Sequence, residues 1–305
     1  MSIQSDLTAA DNVADKILAS TERQIKNAYK QAYTDMKVMF SEMFAKYESG
    51  GILTYSEMAK YNRLKAMQIE LQKTLKELYS TDSAILNREL STVYKSTYYR
   101  TAYAIEKAAQ SRLSYLPLDI ARIKAAIQNP ISGLTLKDTL IKNRDAIISK
   151  INQEITRGLI RGSSYGKMAA AIKETLGNDA KKALLVAQTE AHRVHNQARL
   201  ESVGHADDLG VEQVKVWVAT LDSRTRDAHQ SLDGVEVGVD DDFKSSAGGR
   251  GPAPGMMGTA ADDCNCRCTM RIEIKGFKPE FRRVRGEGVI PYVDYKTWFD
   301  NRIKK

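Results

Sequence analysis

The chain has 305 residues, of which 42% are hydrophobic, 28% are charged and 7% are aromatic, and its net charge is +8. This balance excludes wholesale disorder, because enough apolar side chains are present to form a buried core. No apolar run approaches the roughly 20 residues of a membrane-spanning helix, and residues 1–20 lack the pattern of a signal peptide, so we expect a soluble protein.

The first 205 residues show the apolar periodicity of long helices. Apolar side chains recur every three or four positions over 3–48, and a serine and two glycines end that stripe at 49–51. Thr54 and Glu57 form a capping box that opens a second helix. The remaining helices are predicted over 81–115, 118–128, 135–159, 163–177 and 179–203.

After residue 205 the pattern changes to short strands and turns. Valines alternate with other residues over 214–218, which predicts a half-buried strand, and 222–229 is predicted as a short helix. Residues 240–262 contain five glycines and two prolines and are predicted as a long loop. Apolar and polar residues alternate again over 268–274, so the chain leaves its cysteines as a strand.

These patterns predict an α+β protein. An elongated, mostly α-helical N-terminal region precedes a small α+β C-terminal domain that carries a Cys/His cluster. We place the all-helical arm and body at 1–205, the small domain at 206–275 and a basic, aromatic tail at 276–305.

The positive charge is distributed unevenly along the chain. Residues 1–200 carry 30 basic and 20 acidic side chains, 201–270 carry 6 and 13, and 271–305 carry 10 and 5. Basic ends that flank an acidic middle permit contact with nucleic acid or another polyanion. Because the basic residues of the front half are spread evenly along the helices, a solvated helix face explains most of them. The tail suits single-stranded nucleic acid, an acidic partner, or a strap on the acidic domain of this chain.

Three cysteines lie within five residues, at Cys264, Cys266 and Cys268, and His229 lies upstream in the same small domain. An odd number so closely spaced excludes a disulfide framework. Zinc prefers four thiolate or imidazole ligands, and a small domain gains stability from such a site, so we predict these four residues as ligands of a structural zinc ion. Because next-but-one Cα atoms in a strand are about 6.6 Å apart, three thiolates need a bend, and His229 with two cysteines is the simpler set. Buried free thiols are the alternative.

A second candidate site is the run that contains Asp222, Arg224 and Arg226. Arginine offers a bidentate fork and a helix start offers amides, which together suit an anion or a phosphate. A nuclease would use His229 as general acid or base and an arginine as the phosphate clamp. The alternative has Asp222 as a helix cap and the arginines paired with acidic neighbours. Because an acidic surface grips a polyanion poorly, we expect no enzymatic activity.

Two stretches, 217–234 and 265–268, resemble the signature of Mu F-like phage head morphogenesis proteins, the minor head proteins of tailed phages. The residues that carry the resemblance are Trp217, Asp222, Arg224, Thr225, Arg226, His229, Asn265, Cys266, Arg267 and Cys268. Upstream segments at 158–162, 187–190 and 196–198 resemble the helices that precede this signature. The resemblance therefore covers roughly 155–275.

The chain departs from the family pattern at two places. Family members commonly have His-Pro before the Asn-Cys-Arg-Cys run, whereas this chain has Asp263 and Cys264. The resemblance thus implies either that Cys264 is the fourth metal ligand or that the site is altered. The family also commonly has an arginine where this chain has Gln188, which removes any role for that arginine.

The resemblance implies a virion component that lies inside the capsid near the portal vertex and is present in the host cytoplasm during assembly. It implies action in head assembly and in the fate of packaged DNA. The implied partners are the phage portal protein, capsid or scaffold components and double-stranded DNA without sequence preference, with no membrane. The alternative function is a sequence-independent DNA-binding protein ejected with the genome, and a nuclease using His229 is the least favoured.

Overall fold

Long α-helices form the chain as far as residue 208. The computed structural model describes residues 3–115, 117–274, 281–284 and 288–291. The helices are α1 (Ile3–Tyr47), α2 (Tyr55–Ala59), α3 (Arg63–Ala109), α4 (Ile120–Gln128), α5 (Leu136–Ile160) and α6 (Tyr165–Asp208), with a 3₁₀ turn at Lys60–Asn62. Among the described residues, none of the helices carries an apolar stretch long enough to cross a bilayer.

Short strands and two short helices follow. They are β1 (Gln213–Val218), α7 (Asp227–Gln230), β2 (Glu236–Gly238), β3 (Phe243–Lys244), β4 (Arg250–Gly251), α8 (Ala260–Asp263), β5 (Thr269–Ile274), β6 (Phe281–Val284) and β7 (Gly288–Pro291). β1 is the centre of an antiparallel sheet of order β2-β1-β5, in which Trp217 lies opposite Met270. The β3–β4 and β6–β7 pairs form separate antiparallel ribbons. The predicted α+β class is confirmed.

Three predicted element boundaries are wrong. α3 runs without a break through 81–82, where a new helix was expected to begin, and Asp82 is buried inside it. α6 runs through Gly177, which costs about 1 kcal/mol relative to alanine but does not end a helix whose neighbouring turns are packed. The helix that opens at Thr54 is instead interrupted at Tyr61 and Asn62, whose φ values of 54° and 58° lie in the left-handed region.

The C-terminal predictions also need adjustment. The helix predicted over 222–229 begins only at Asp227, and the residues before it form a turn in which the Thr225 amide donates to the Asp222 carbonyl. The long loop predicted over 240–262 contains β3, β4 and most of α8. Close main-chain approach explains one of its glycines, since a Cβ at Gly251 would overlap the Met256 carbonyl.

The described residues form two compact units. Unit 1 comprises the described parts of segments 1–19, 88–136 and 187–305, and unit 2 comprises 20–87 and 137–186. One core cluster of unit 1 joins helical segments to the sheet through Leu7, Ala104, Ile105, Val203, Ala206, Met270 and Ile272. Because the sheet packs on these helices, unit 1 contains residues from both sides of the predicted boundary at 205. The domain assignment by sequence stays a prediction, and most of the predicted tail lies outside the described residues.

Unit 2 has its own core, to which four helical segments contribute. Its buried side chains include Met36 and Phe40 of α1, Leu71 and Leu75 of α3, Ile147 and Ile151 of α5, and Met168 and Ile172 of α6. Gly158 permits the close approach of α5 and α6, since a Cβ at this position would lie 2.9 Å from Met168 Cγ.

Candidate metal centre

His229 of α7 meets two cysteines from the segment that leads into β5. Its Nδ1 lies 3.5 Å from Cys268 Sγ and 3.8 Å from Cys266 Sγ. The three candidate ligand atoms lie within 4.8 Å of one another, and all three side chains are buried. One imidazole nitrogen and two sulfurs are a donor set that zinc favours, so the residues present fit such an ion.

A sharp turn before β5 determines which cysteines face the histidine. Asn265 adopts a φ of 58°, a left-handed conformation that asparagine tolerates, and its main-chain N–H donates to Thr189 Oγ1 at 3.0 Å. The chain therefore bends within the cysteine run, but this bend does not bring all three thiols together. It leaves Cys264 exposed and outside the group of three, so the structure does not bring the predicted fourth ligand to the site.

A buried carboxylate orients the histidine from behind. Asp262 Oδ1 lies 3.3 Å from His229 Nε2. Asp262 also accepts hydrogen bonds from Ser245 Oγ at 2.6 Å, Thr259 Oγ1 at 2.9 Å and the Gly249 amide at 3.0 Å. Glycine is required at 249, because a Cβ there would overlap Asp262 Oδ2. This carboxylate–histidine arrangement fixes the ring with Nδ1 toward the thiols, as in the outer shell of zinc sites.

Aromatic side chains enclose the centre. The Trp217 ring packs edge-on against His229, with a centroid separation of 5.3 Å and an interplanar angle of 72°. Phe243 packs against Trp217 at the same separation. Both belong to the buried cluster that contains Cys266 and Cys268. Such a shell keeps water from the ligands, and His229, at 2% exposure, does not face a substrate as the nuclease hypothesis requires.

The pKa values of the two thiols and the imidazole are shifted in different directions. The hydrogen bond from Cys266 holds the pKa of Cys268 well below its ordinary value, and His229 adds to this effect. The same bond, together with burial, raises the pKa of Cys266. Burial lowers the pKa of His229, but the hydrogen bond and charge of Cys268 outweigh it and raise that pKa overall. Cys268 is therefore the first thiolate, the form of cysteine that binds metals.

Most side chains of the predicted anion site are paired with other groups of the same chain. Asp222 forms a bidentate ion pair with Arg267, whose Nη2 lies 2.8 Å from Asp222 Oδ1, and this bond holds the pKa of Asp222 far below its ordinary range. Arg226 donates to the carbonyls of Asp262 and Cys264 and so braces the metal centre. Only Arg224 extends mainly into solvent, with a weak contact to Asp222.

Sequence inspection missed the buried polar residues of α6. Asn196 donates to the carbonyls of Pro254 and Cys268 at 3.1 Å and accepts from the Met270 amide at 3.1 Å, so it fastens the start of β5. Arg199 donates to the Met270 carbonyl at 2.6 Å. The available signal was polar residues at helical spacing on a face otherwise rich in alanine.

Arg193 of the same helix holds the end of α4 in position through hydrogen bonds. It is buried, pairs with Glu190 at 2.7 Å, and donates to the Ala126 and Ile127 carbonyls at 2.7 and 3.0 Å. A buried ion pair of this kind needs such additional hydrogen bonds to offset the loss of hydration.

Comparisons with known proteins find relatives along almost the whole chain. A family model described as "Phage Mu protein F like protein" matches residues 149–271. The chain is 36% identical over 292 residues to "Minor head protein GP7" of Bacillus phage SPP1, a match that covers 94% of each protein. No solved structure matches significantly.

A second relative corrects the expectation that the chain is not an enzyme. The chain is 30% identical over 286 residues to a protein of Enterococcus faecalis (strain ATCC 700802 / V583) named "NAD(+)--arginine ADP-ribosyltransferase EFV". The match covers 93% of this chain and 58% of that protein, so a large part of that relative lies outside the match. Its name nevertheless contradicts the prediction that enzymatic activity is absent, and we withdraw that prediction.

Proposed function

Since the chain belongs to the Mu F-like family of phage minor head proteins, we propose that it acts in head assembly at the portal vertex and in the fate of packaged DNA. The similarity to a named minor head protein over 94% of both chains carries this proposal. Because the match covers nearly the whole chain, it includes the helical segments as well as the candidate metal centre. A head protein of this kind is a component of the virion.

Co-purification tests the portal assignment. A tagged copy of the chain is recovered from infected cells at about 0.1 M and about 1 M salt, where charges are screened over about 10 Å and about 3 Å. We expect the portal protein in both eluates, because assembly contacts with a buried apolar part survive screening. Heads that contain portal but never this chain would contradict the proposal.

For the metal centre, we propose a structural zinc ion held by His229, Cys266 and Cys268. The proximity of the three donor atoms, their burial and the Asp262 carboxylate behind the imidazole support it. A bound zinc ion would tie α7 to the start of β5 in a part of the chain whose strands are short. Cys264 is exposed, lies outside this group and is assigned no role as a ligand.

Sequence-independent binding of duplex DNA is the second candidate function, and the charge of unit 2 supports it. The two segments of unit 2 carry 20 basic and 13 acidic residues. Nearly all of the basic side chains are exposed, whereas Asp82 and Asp179 are buried and add nothing to the surface. Unit 2 therefore presents an excess of positive charge, which binds phosphates by releasing their counterions.

Fluorescence anisotropy with a labelled DNA duplex tests this function. Charge reversal at two exposed lysines of unit 2, Lys167→Glu with Lys173→Glu, should weaken binding and flatten its salt dependence. Lys124→Glu with Lys244→Glu, at two exposed lysines of unit 1, is the matched control and should change binding less. Equal losses from both changes would show that DNA does not select unit 2. Recovery of the chain with ejected DNA or with emptied heads then separates an ejected protein from a retained one.

A further inference from the structure

Asp82 is an isolated acid in the interior of unit 2. It lies in the middle of α3 with a fully buried side chain, and neither carboxyl oxygen has a hydrogen-bond partner among the described residues. A buried charge without partners is strongly disfavoured, whereas a neutral carboxylic acid in the same place costs far less.

The neighbours of Asp82 favour its neutral form. The hydroxyls of Tyr29 and Tyr79 both donate to Asp179 Oδ2, each at 2.8 Å, so these donors serve Asp179 and not Asp82. Tyr29 comes from α1, Tyr79 from α3 and Asp179 from α6, and all three interact electrostatically with Asp82. Lys182 and Lys150 lower the pKa of Asp179 by their charge, whereas the pKa of Asp82 is set by burial and the charge of Asp179.

We propose that Asp82 is a proton-binding switch within unit 2. With its proton bound, the helical segments pack around a neutral side chain. When the proton leaves, a carboxylate without donors faces Asp179 in the core, and unit 2 opens more readily. The proposal concerns stability and regulation, and it does not depend on the portal or DNA functions.

The pH range follows from the environment of the carboxyl group. Burial, with a further contribution from the charge of Asp179, raises the pKa of Asp82 from 3.8 to about 7. Below pH 3.8 both the folded and the unfolded chain hold the proton. Between 3.8 and about 7 only the folded chain holds it, so stability falls as the pH rises, by up to tenfold in the folding equilibrium constant per pH unit. Above about 7 the loss is complete.

The other titratable groups of the cluster can be distinguished from Asp82. Burial raises the pKa of both tyrosines above its ordinary value of 10.0, so they stay neutral across this range. Burial also raises the pKa of Asp179, against the hydrogen bonds from the tyrosines and the charges of Lys182 and Lys150. A variant at each aspartate is therefore needed to assign the pH dependence.

Hydrogen exchange of the full chain, read by mass spectrometry in peptides of unit 2 from about pH 5 to about pH 8, tests the switch. After correction for intrinsic exchange, opening of unit 2 in the parent should increase as the pH rises to about 7. In Asp82→Asn the opening should be nearly independent of pH and smaller than in the parent at pH 8. Glu42→Gln, at an exposed acid of the same unit, should follow the parent.

Asp179→Asn should keep a pH-dependent opening, with its midpoint moved to lower pH because the negative neighbour is removed. A parent and an Asp82→Asn variant with parallel pH curves would overturn the proposal. If Asp82→Asn does not fold, carbon-13 NMR of labelled aspartate in the parent and in Asp179→Asn decides. A buried carboxyl signal still protonated at pH 6 and assigned to Asp82 supports the switch, and its absence overturns it.

Discussion

Substitution of one buried cysteine separates a metal centre from a pair of buried thiols. Cys268→Ser removes the sulfur nearest to His229, whereas Cys264→Ser changes an exposed residue outside the group. At a free zinc concentration about 1,000 times the Kd, binding adds about 4 kcal/mol to the free energy of unfolding. Loss of one of three protein ligands should remove most of this stabilisation, while the exposed substitution should change it by less than about 0.5 kcal/mol.

Elemental analysis and chemical unfolding measure the two quantities. Protein purified without chelator should hold close to one zinc per chain in the parent and in Cys264→Ser, and much less in Cys268→Ser. Addition of a chelator should lower the stability of the parent toward that of Cys268→Ser. A parent with less than about half a zinc per chain would refute the zinc assignment, and equal zinc loss in both variants would refute the choice of ligands.

Four further substitutions give predictions, and three of them lie in the surroundings of the centre. Gly249→Ala should lower the free energy of unfolding by about 1–3 kcal/mol, because the added Cβ displaces Asp262. Gly177→Ala, at an exposed helical glycine with open space around it, should raise it by about 1 kcal/mol in the same assay. Asn196→Ala should cost about 1–3 kcal/mol, because the main-chain groups of Cys268 and Met270 lose their partner, and faster hydrogen exchange at Met270 would locate the effect. Asp222→Asn should lower the free energy of unfolding at pH 7. Because the pKa of Asp222 is lowered by Arg267, this difference from the parent should disappear as the pH falls well below 3.8, where protonation breaks the same ion pair in the parent. A difference that is independent of pH would contradict the ionic role of the Arg267 pair.

The sequence by itself determined the α+β class and the position of the sheet. Apolar side chains at helical spacing identified α1 and α5 to within a few residues, and alternation identified β1 and β5. These signals are local, because the periodicity of a helix or a strand depends on residues that are close together in the sequence. The same sequence also directed attention to His229 and the cysteines, since few residue types bind metals.

Only the tertiary structure decided which groups meet and which are buried. The left-handed turn at Asn265 excludes Cys264 from the centre, a choice that spacing alone left open. Asp82, near which a new helix was expected to begin, is instead enclosed in the core of unit 2. Arg193 finds its carbonyl partners more than sixty residues away. Burial and hydrogen-bond partners depend on segments distant in the chain, so local periodicity carries no information about them.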